Sequence, residues 1–526
     1  MSAEVRVVRG ARLAAGDGLT GPHDLHLADG RITDILPSGR STDSGMAVLE
    51  ADGRICLPGL VDAHCHAAAA VLDPGVQAAL LRQGVTSIVV GQDGIGYAPS
   101  DAASYEWTAA YFAGIDGAAD GWGPGTMAEW LRRYDGTVPV NVAAMVPHGS
   151  LKYLVMRDAQ RPATPDERAR LTHLLDQALA EGAVGLSTGL EYVPAAWADR
   201  AELEALLAVV ARRERVHSSH MRGYEAAAPA AMAELAALAQ ATGVATHVAH
   251  YHGDAAVLGP LLDQTAVTFD SYPYLRGCSL LAMVSLPTWL PLSDPSATLA
   301  LLESDAGVRE KVMAHLASIA DLWPRATLAW APGRDPVTGE PLEWAAGLTV
   351  PEIAHRWSVP CADAVLRLLT GTTLRATCVF LQPPTNSADS VLALATRPEH
   401  SAGSDGIYLP LAGGQPHPRG WGAFAQWLTT MVLEDQAWTW ADATAHLSTR
   451  TVTRFGLGHR GRLHPGAVAD LILVDPDRLA ARATYTDPRQ LAEGIDDVLV
   501  AGIPVLAGGH LTGATPGRGL RWESPR

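Results

Sequence analysis

Leu57-Pro58-Gly59-Leu60-Val61-Asp62-Ala63-His64-Cys65-His66 is the stretch whose reading decides the fold. Leu57 to Ala63 is mostly apolar and reads as a short buried strand. Two histidines follow at i and i+2, and side chains two apart on a strand share a face. His64 and His66 can therefore aim two imidazoles at one point, as a divalent metal site requires. Taken alone, an H-x-H is also what two unrelated histidines at a strand end look like. The weight comes from the rest of the chain.

After Pro58, strand-like and helical runs alternate, the rhythm of a parallel α/β protein. Asp73-Pro74 starts a helix with Val76, Ala79 and Leu80 on one face, stopped by Gly84. Val85 to Val90 is the next strand. The clearest helix follows Thr164, an N-cap with Pro165 in the first turn and Glu167 completing a capping box. Its inner face is Leu171, Leu174, Leu175, Ala178 and Leu179, and Gly182 ends it. Further strands are expected at 140–146, 183–187, 216–220, 244–250, 267–270 and 401–405. Eight parallel strands separated by helices predict a TIM-type barrel, whose chemistry sits at the C-terminal strand ends.

Those ends carry His64 and His66, then Gly91-Gln92-Asp93-Gly94, His217 to His220, His247 to His250, and Ser404-Asp405-Gly406. A His or Asp at so many equivalent points predicts a convergent metal site. Nitrogen and oxygen donors without a C-x-x-C pair favour zinc or a similar ion. His217 and His247 lie three residues before His220 and His250, so they are expected to face outward, between barrel and helices.

Residues 1–56 read instead as β-structure, with Asp29-Gly30 and Asp52-Gly53 as hairpin-type turns. These strands are too few to stand alone. Asp470 to Val474 and Asp497 to Val500, with the turn Ala501-Gly502, supply matching material. The expected architecture is a small β-sandwich built from 1–56 and 456–526, with the barrel, 57–455, inserted between them.

The charge balance, 39 Lys and Arg against 56 Asp and Glu for a net −17, argues against nucleic acid or an anionic membrane as partner. The five cysteines are scattered, which suits a reducing cytoplasm better than a disulfide framework. Met1 to Arg6 lacks the apolar run of a signal peptide, and no run is long enough to span a bilayer. A homo-oligomer is left open.

Ten stretches together resemble the N-acyl-D-amino-acid deacylases (D-aminoacylases) of the amidohydrolase superfamily. They are LPGLVDAHCH, VTSIVVGQDG, PVNVAAMVPHGSLK, EGAVGLSTGLEYVP, HSSHMR, FDSYPY, GSDG, HPRGWGAF, RFGLGHRGRLHPGAVADLILVDP and GRGLR. They run from about residue 50 to about 520. The resemblance implies a metallohydrolase barrel with a terminal β-sandwich, and an insert at roughly 276–398 before the last barrel strand. It implies His64, His66, Asp93, His220 and His250 around one or two Zn²⁺ ions, with Asp405 as general base. It implies Arg419 as a clamp on a substrate carboxylate. The developing oxyanion needs a donor, and Tyr192, Tyr274 or a metal can serve. His252 and Arg222, beside two ligand histidines, are further substrate-side candidates.

The chain departs from the family pattern in three places. Gln92-Asp93 stands where the family has Asn-Cys, so a carboxylate replaces a thiolate, and a carboxylate can bridge two ions. Ala67-Ala68 stands where acidic residues usually follow the H-x-H, and His252 where a Lys is common. The expected activity is metal-dependent hydrolysis of a C–N amide bond, releasing a D-amino acid from its N-acyl derivative. The alternatives are an amidohydrolase of another class (cyclic amide, N-carbamoyl or deaminase chemistry) and a metal-binding protein without turnover.

Overall fold

The computed structural model describes residues 4–524 apart from 17, 40–45, 118 and 120. Part of the N-terminal stretch read above for a leader, residues 1–3, lies outside them. Eight short parallel strands form the barrel: β1 (Leu60–Asp62), β2 (Val85–Val90), β3 (Asn141–Ala144, continued by Val146–Pro147), β4 (Gly185–Gly189), β5 (Val216–His220), β6 (Ala245–Val248), β7 (Thr268–Ser271) and β8 (His400–Ala402). Neighbours pair parallel from β1 to β3, with a register shift between Leu60 and Val61, and from the second piece of β3 to β8. The Val184 N–H donates to Ala144 O and the Met145 N–H to Val90 O, so the two sheets join at β3. The ring closes where the Ala63 N–H donates to Ala402 O at 3.1 Å and the Asp405 N–H to His64 O at 2.8 Å. Beyond that point Gly406-Ile407 pairs with Cys65-His66. The closing bonds therefore run through the residues that carry the H-x-H.

The opening stretch is divided between two sheets. Ile55–Pro58 pairs antiparallel with Leu471–Val474 and parallel with Val7–Ala15. Only Leu60–Asp62 belongs to the barrel. Gly59 is the joint: a Cβ there would lie 2.1 Å from Thr86 Oγ1. The single strand expected over 57–63 is thus two, because the chain must leave one sheet for the other at a residue with no side chain.

Strands from both termini make one nine-stranded sheet around its own core, which includes Val8, Leu25, Ile32, Leu471 and Leu499. Asp29-Gly30 and Ala501-Gly502 have positive φ at both positions, the geometry of a tight hairpin turn. One piece of 456–526 does not follow. Gly519–Leu520 pairs parallel with Asn141–Ala144, on the barrel. That pairing occupies an edge of β3 which β4, beginning only at Gly185, does not reach.

The helix Pro165–Ala180 has the expected Thr164–Glu167 capping box. It buries Leu171, Leu175, Ala178 and Leu179, while Leu174 is only half-buried. Between β7 and β8, Arg276–Leu280, Ala326–Trp330 and Thr377–Leu381 form an antiparallel sheet with a separate apolar core. No helix among the described residues is long and apolar enough to cross a membrane.

Candidate active site

The C-terminal ends of β1, β2, β5, β6 and β8 converge on one spot. His64 and His66 follow β1, and their Nε2 atoms approach to 3.3 Å. The Asp93 carboxylate, after β2, lies 3.6 Å from His64 Nε2 and 3.5 Å from His66 Nε2 through Oδ2, and 3.5 Å from His250 Nε2 through Oδ1. His220 ends β5, its Nδ1 2.9 Å from His250 Nε2. Asp405, after β8, places Oδ1 3.3 Å from His66 Nε2 and 3.7 Å from His64 Nε2. All six side chains are buried.

Backbone conformation does part of this aiming. Asp93, His250 and Asp405 have φ of 56°, 35° and 48°, a region that ordinary residues seldom adopt. Such strain persists only where the surroundings impose it, and it clusters at functional sites. Gln92 faces away from the centre. Its amide donates to Ala63 O at 2.7 Å and accepts from Ser218 Oγ at 2.9 Å, tying β2 to β1 and β5. Asp93 is thereby left to face the centre.

The donor atoms fall into two groups, His64, His66, Asp93 and Asp405, and Asp93, His220 and His250, each within a 4.8 Å span. Asp93 belongs to both. The arrangement brings ring nitrogens into contact, against carboxylates, with Asp93 Oδ1 left without a hydrogen bond. A carboxylate shared by two sets of N/O donors fits one or two divalent ions. Burial alone would lower His64, but Asp93 and Asp270 outweigh it and raise it to about 10. Burial likewise pushes Asp93 up, and His64 and His250 more than reverse it, holding it well below the usual carboxylate range. Asp405 is treated alike: burial raises it, and Arg419, His66 and His64 bring it down to about 2.

A cavity of about 450 Å³ opens over the cluster. Tyr192 and His252 line it, as do Tyr272, Cys278, Met283 and Phe380. Tyr192 Oη is 3.3 Å from His220 Nδ1. His252 Nδ1 lies 2.6 Å from His250 O, and the ring stacks on Tyr224 at 5.1 Å. Burial and the neighbouring His250 pull His252 down to about 4, so it is uncharged at neutral pH.

Three expected substrate-side residues lie elsewhere. Tyr274 is set back from the cavity against His417 and Tyr485, because Tyr272, two residues earlier, takes the wall position. Arg222 is spent on structure: it pairs with Glu234 and donates to Ala196 O and Ala198 O. Arg419 is fully buried behind the wall, 2.8 Å from Asp405 Oδ2 and 4.6 Å from the centre of the Tyr272 ring.

His217 faces outward as expected, its Nε2 2.9 Å from Thr188 Oγ1. His247 does not. It pairs with Ser218, which points inward to Gln92, and its Nε2 is 3.1 Å from Asp270. The expectation failed because β6 ends at Val248 and His250 is aimed by a turn, so strand alternation does not connect the two. Sequence reasoning also missed three carboxylates behind the histidines: Asp270, 3.6 Å from His64 Nδ1, Glu191, 2.9 Å from His220 Nε2, and Asp116, 3.6 Å from His66 Nδ1. Asp270 ends a recognised strand and Glu191 lies in a matched stretch, so both were findable. Asp116 carried no signal.

A model of the amidohydrolase family matches residues 366–506. An N-acyl-D-glutamate deacylase of Alcaligenes xylosoxydans xylosoxydans is 31% identical over 519 residues, covering 93% of this chain and 91% of its own. The crystal structure of the N-acyl-D-glutamate deacylase from Bordetella bronchiseptica, complexed with zinc and a phosphonate mimic of the tetrahedral intermediate, superposes with a TM-score of 0.76. The two are 29% identical over 98% of this chain and 99% of that one. A D-aminoacylase structure that addresses the role of its binuclear metal centre also gives 0.76, at 25% identity over 99% of this chain and 100% of its own.

Proposed function

Because the chain belongs to the N-acyl-D-amino-acid deacylases of the amidohydrolase superfamily, we propose that it hydrolyses the amide of an N-acyl-D-amino acid, releasing the D-amino acid and a carboxylate. The observation that carries this reading is Asp93 shared between two donor groups, with Asp405 beside them at the floor of a cavity. His64, His66, Asp93, His220 and His250 would hold the zinc. When bound, zinc polarises the amide carbonyl and lowers the pKa of water from 15.7 to about 7.

The chain's own groups then have defined tasks. Asp405 accepts a proton from the attacking water and returns it to the leaving nitrogen. It is ionised across the physiological range, held down to about 2 against its burial by Arg419 and the histidines. Tyr192, on the cavity wall, is the candidate donor to the developing oxyanion. Arg419 is the candidate carboxylate clamp, since a guanidinium fork suits that geometry. In this structure its partner is Asp405, so a substrate carboxylate would have to compete for it. We place the enzyme in the cytoplasm on the strength of its five free cysteines.

The test is a substrate panel on purified protein: N-acetyl-D-amino acids, their L enantiomers, the corresponding amides, and a dihydropyrimidine ring. Turnover of the D acids above all others is expected. Preference for the ring, or equal rates on acid and amide, would favour cyclic-amide chemistry and remove the clamp.

A further inference from the structure

We propose that Asp116 is a positioning residue for His66: it accepts from Nδ1–H and so leaves Nε2 as the ligating atom. The inference rests on the ligand assignment above. Asp116 is 1% exposed, on the turn that follows the helix Ala102–Tyr111. Among the described residues neither of its carboxylate oxygens has a hydrogen-bond partner, and its one ion-pair contact is His66 Nδ1, at 3.6 Å. His66 Nδ1 is equally without a hydrogen bond. A buried carboxylate with nothing else to bind is costly for a fold to keep.

Two of the other three ligand histidines also meet a carboxylate through a second ring nitrogen. Asp270 stands behind His64 and Glu191 behind His220. Asp270, however, also accepts from the His250 backbone N–H and lies within hydrogen-bond reach of His247, so its burial is accounted for by structure. Among the described residues, Asp116 has an ion-pair contact with His66 alone. A carboxylate on the rear nitrogen fixes tautomer and ring orientation and raises ligand basicity. Ile115, the preceding residue, lines the cavity, so one turn supplies both wall and support.

The experiment compares Asp116→Ala and Asp116→Asn with the parent, measuring zinc affinity by chelator competition, the visible spectrum of the cobalt-loaded protein, and the Tm of the metal-free protein. The proposal predicts that Asp116→Ala weakens metal binding by about 10- to 100-fold. Asp116→Asn, whose amide oxygen can still accept, should fall between it and the parent. Metal-free Tm, read alongside, should fall modestly, because His66 Nδ1–H is left without its acceptor. Unchanged affinity in Asp116→Ala, with or without a fall in metal-free Tm, would make Asp116 a merely structural residue and overturn the proposal. If the parent itself binds no metal, the ligand assignment falls and this inference with it. If the parent binds metal and only the variants fail to differ, the ligand assignment survives.

Discussion

Asp405 and Asp93 carry the account at the level of single residues. Asn has the shape of Asp but cannot serve as a base, so Asp405→Asn should lower kcat by at least about 10²-fold. Metal should stay, held by the histidines and Asp93. The structure adds a second consequence, because Arg419 is fully buried and Asp405 is its ion-pair partner. Breaking a buried pair typically costs about 3–5 kcal/mol, so Tm should fall together with kcat. Near-normal turnover at full metal content would show that the proton goes elsewhere. For Asp93, shared by both donor groups, Asp93→Ala should lose metal as well as rate. Asp93→Cys, which restores the family's thiolate, should keep part of both. A fully metallated, active Asp93→Ala would reduce the 91–94 turn to a turn.

Strand ends and glycine joints set those residues in place. Gly189 closes β4, and a Cβ there would lie 2.0 Å from the Asp93 carbonyl oxygen. Under 3 Å the backbone has to move, and here the backbone that moves carries the shared ligand. Gly189→Ala should therefore cost metal content out of proportion to its loss of helix and strand signal, read by elemental analysis beside circular dichroism. Retention of the parent's metal would mean that the β2 turn is softer than its contacts imply. At this level the sequence was legible where local chemistry decides the outcome. The Thr164–Glu167 capping box, the Asp-Gly turns and the strand-end histidines all follow from patterns a few residues long. It was illegible where tertiary packing decides. Gly59 divides one apolar run between two sheets, His250 is aimed by its own positive φ, and Tyr272 displaces Tyr274 from the cavity wall. None of these is a property of spacing. Arg222 shows the same limit, since proximity in sequence to His220 did not give it access to the cavity.

For the whole molecule, both ends of the chain are tied to the barrel. Residues before Gly59 enter it from the terminal sheet, and Gly519–Leu520 returns to pair with β3. Leu520 is buried with Val61, Val89 and Phe455. Burying a leucine contributes about 1.5–3 kcal/mol. Deleting residues 514–526 should lower Tm by roughly 2–4 °C at the sensitivity of a domain of about 400 residues. Calorimetry would check this, and an unchanged Tm would make the tail a passenger. The central claim, that this is a metal-dependent N-acyl-D-amino-acid deacylase, meets its most direct test in one titration. Metal-stripped protein is supplied with increasing Zn²⁺ while bound metal per chain and the initial rate of D-amino acid release are followed in the same samples. The account predicts no rate without metal, and a rate that rises as the first equivalent binds. It also predicts an N-acetyl-L-amino acid control that stays flat. Hydrolysis undiminished in the stripped protein, or a fully loaded protein that releases nothing from any N-acyl-D-amino acid, would contradict it.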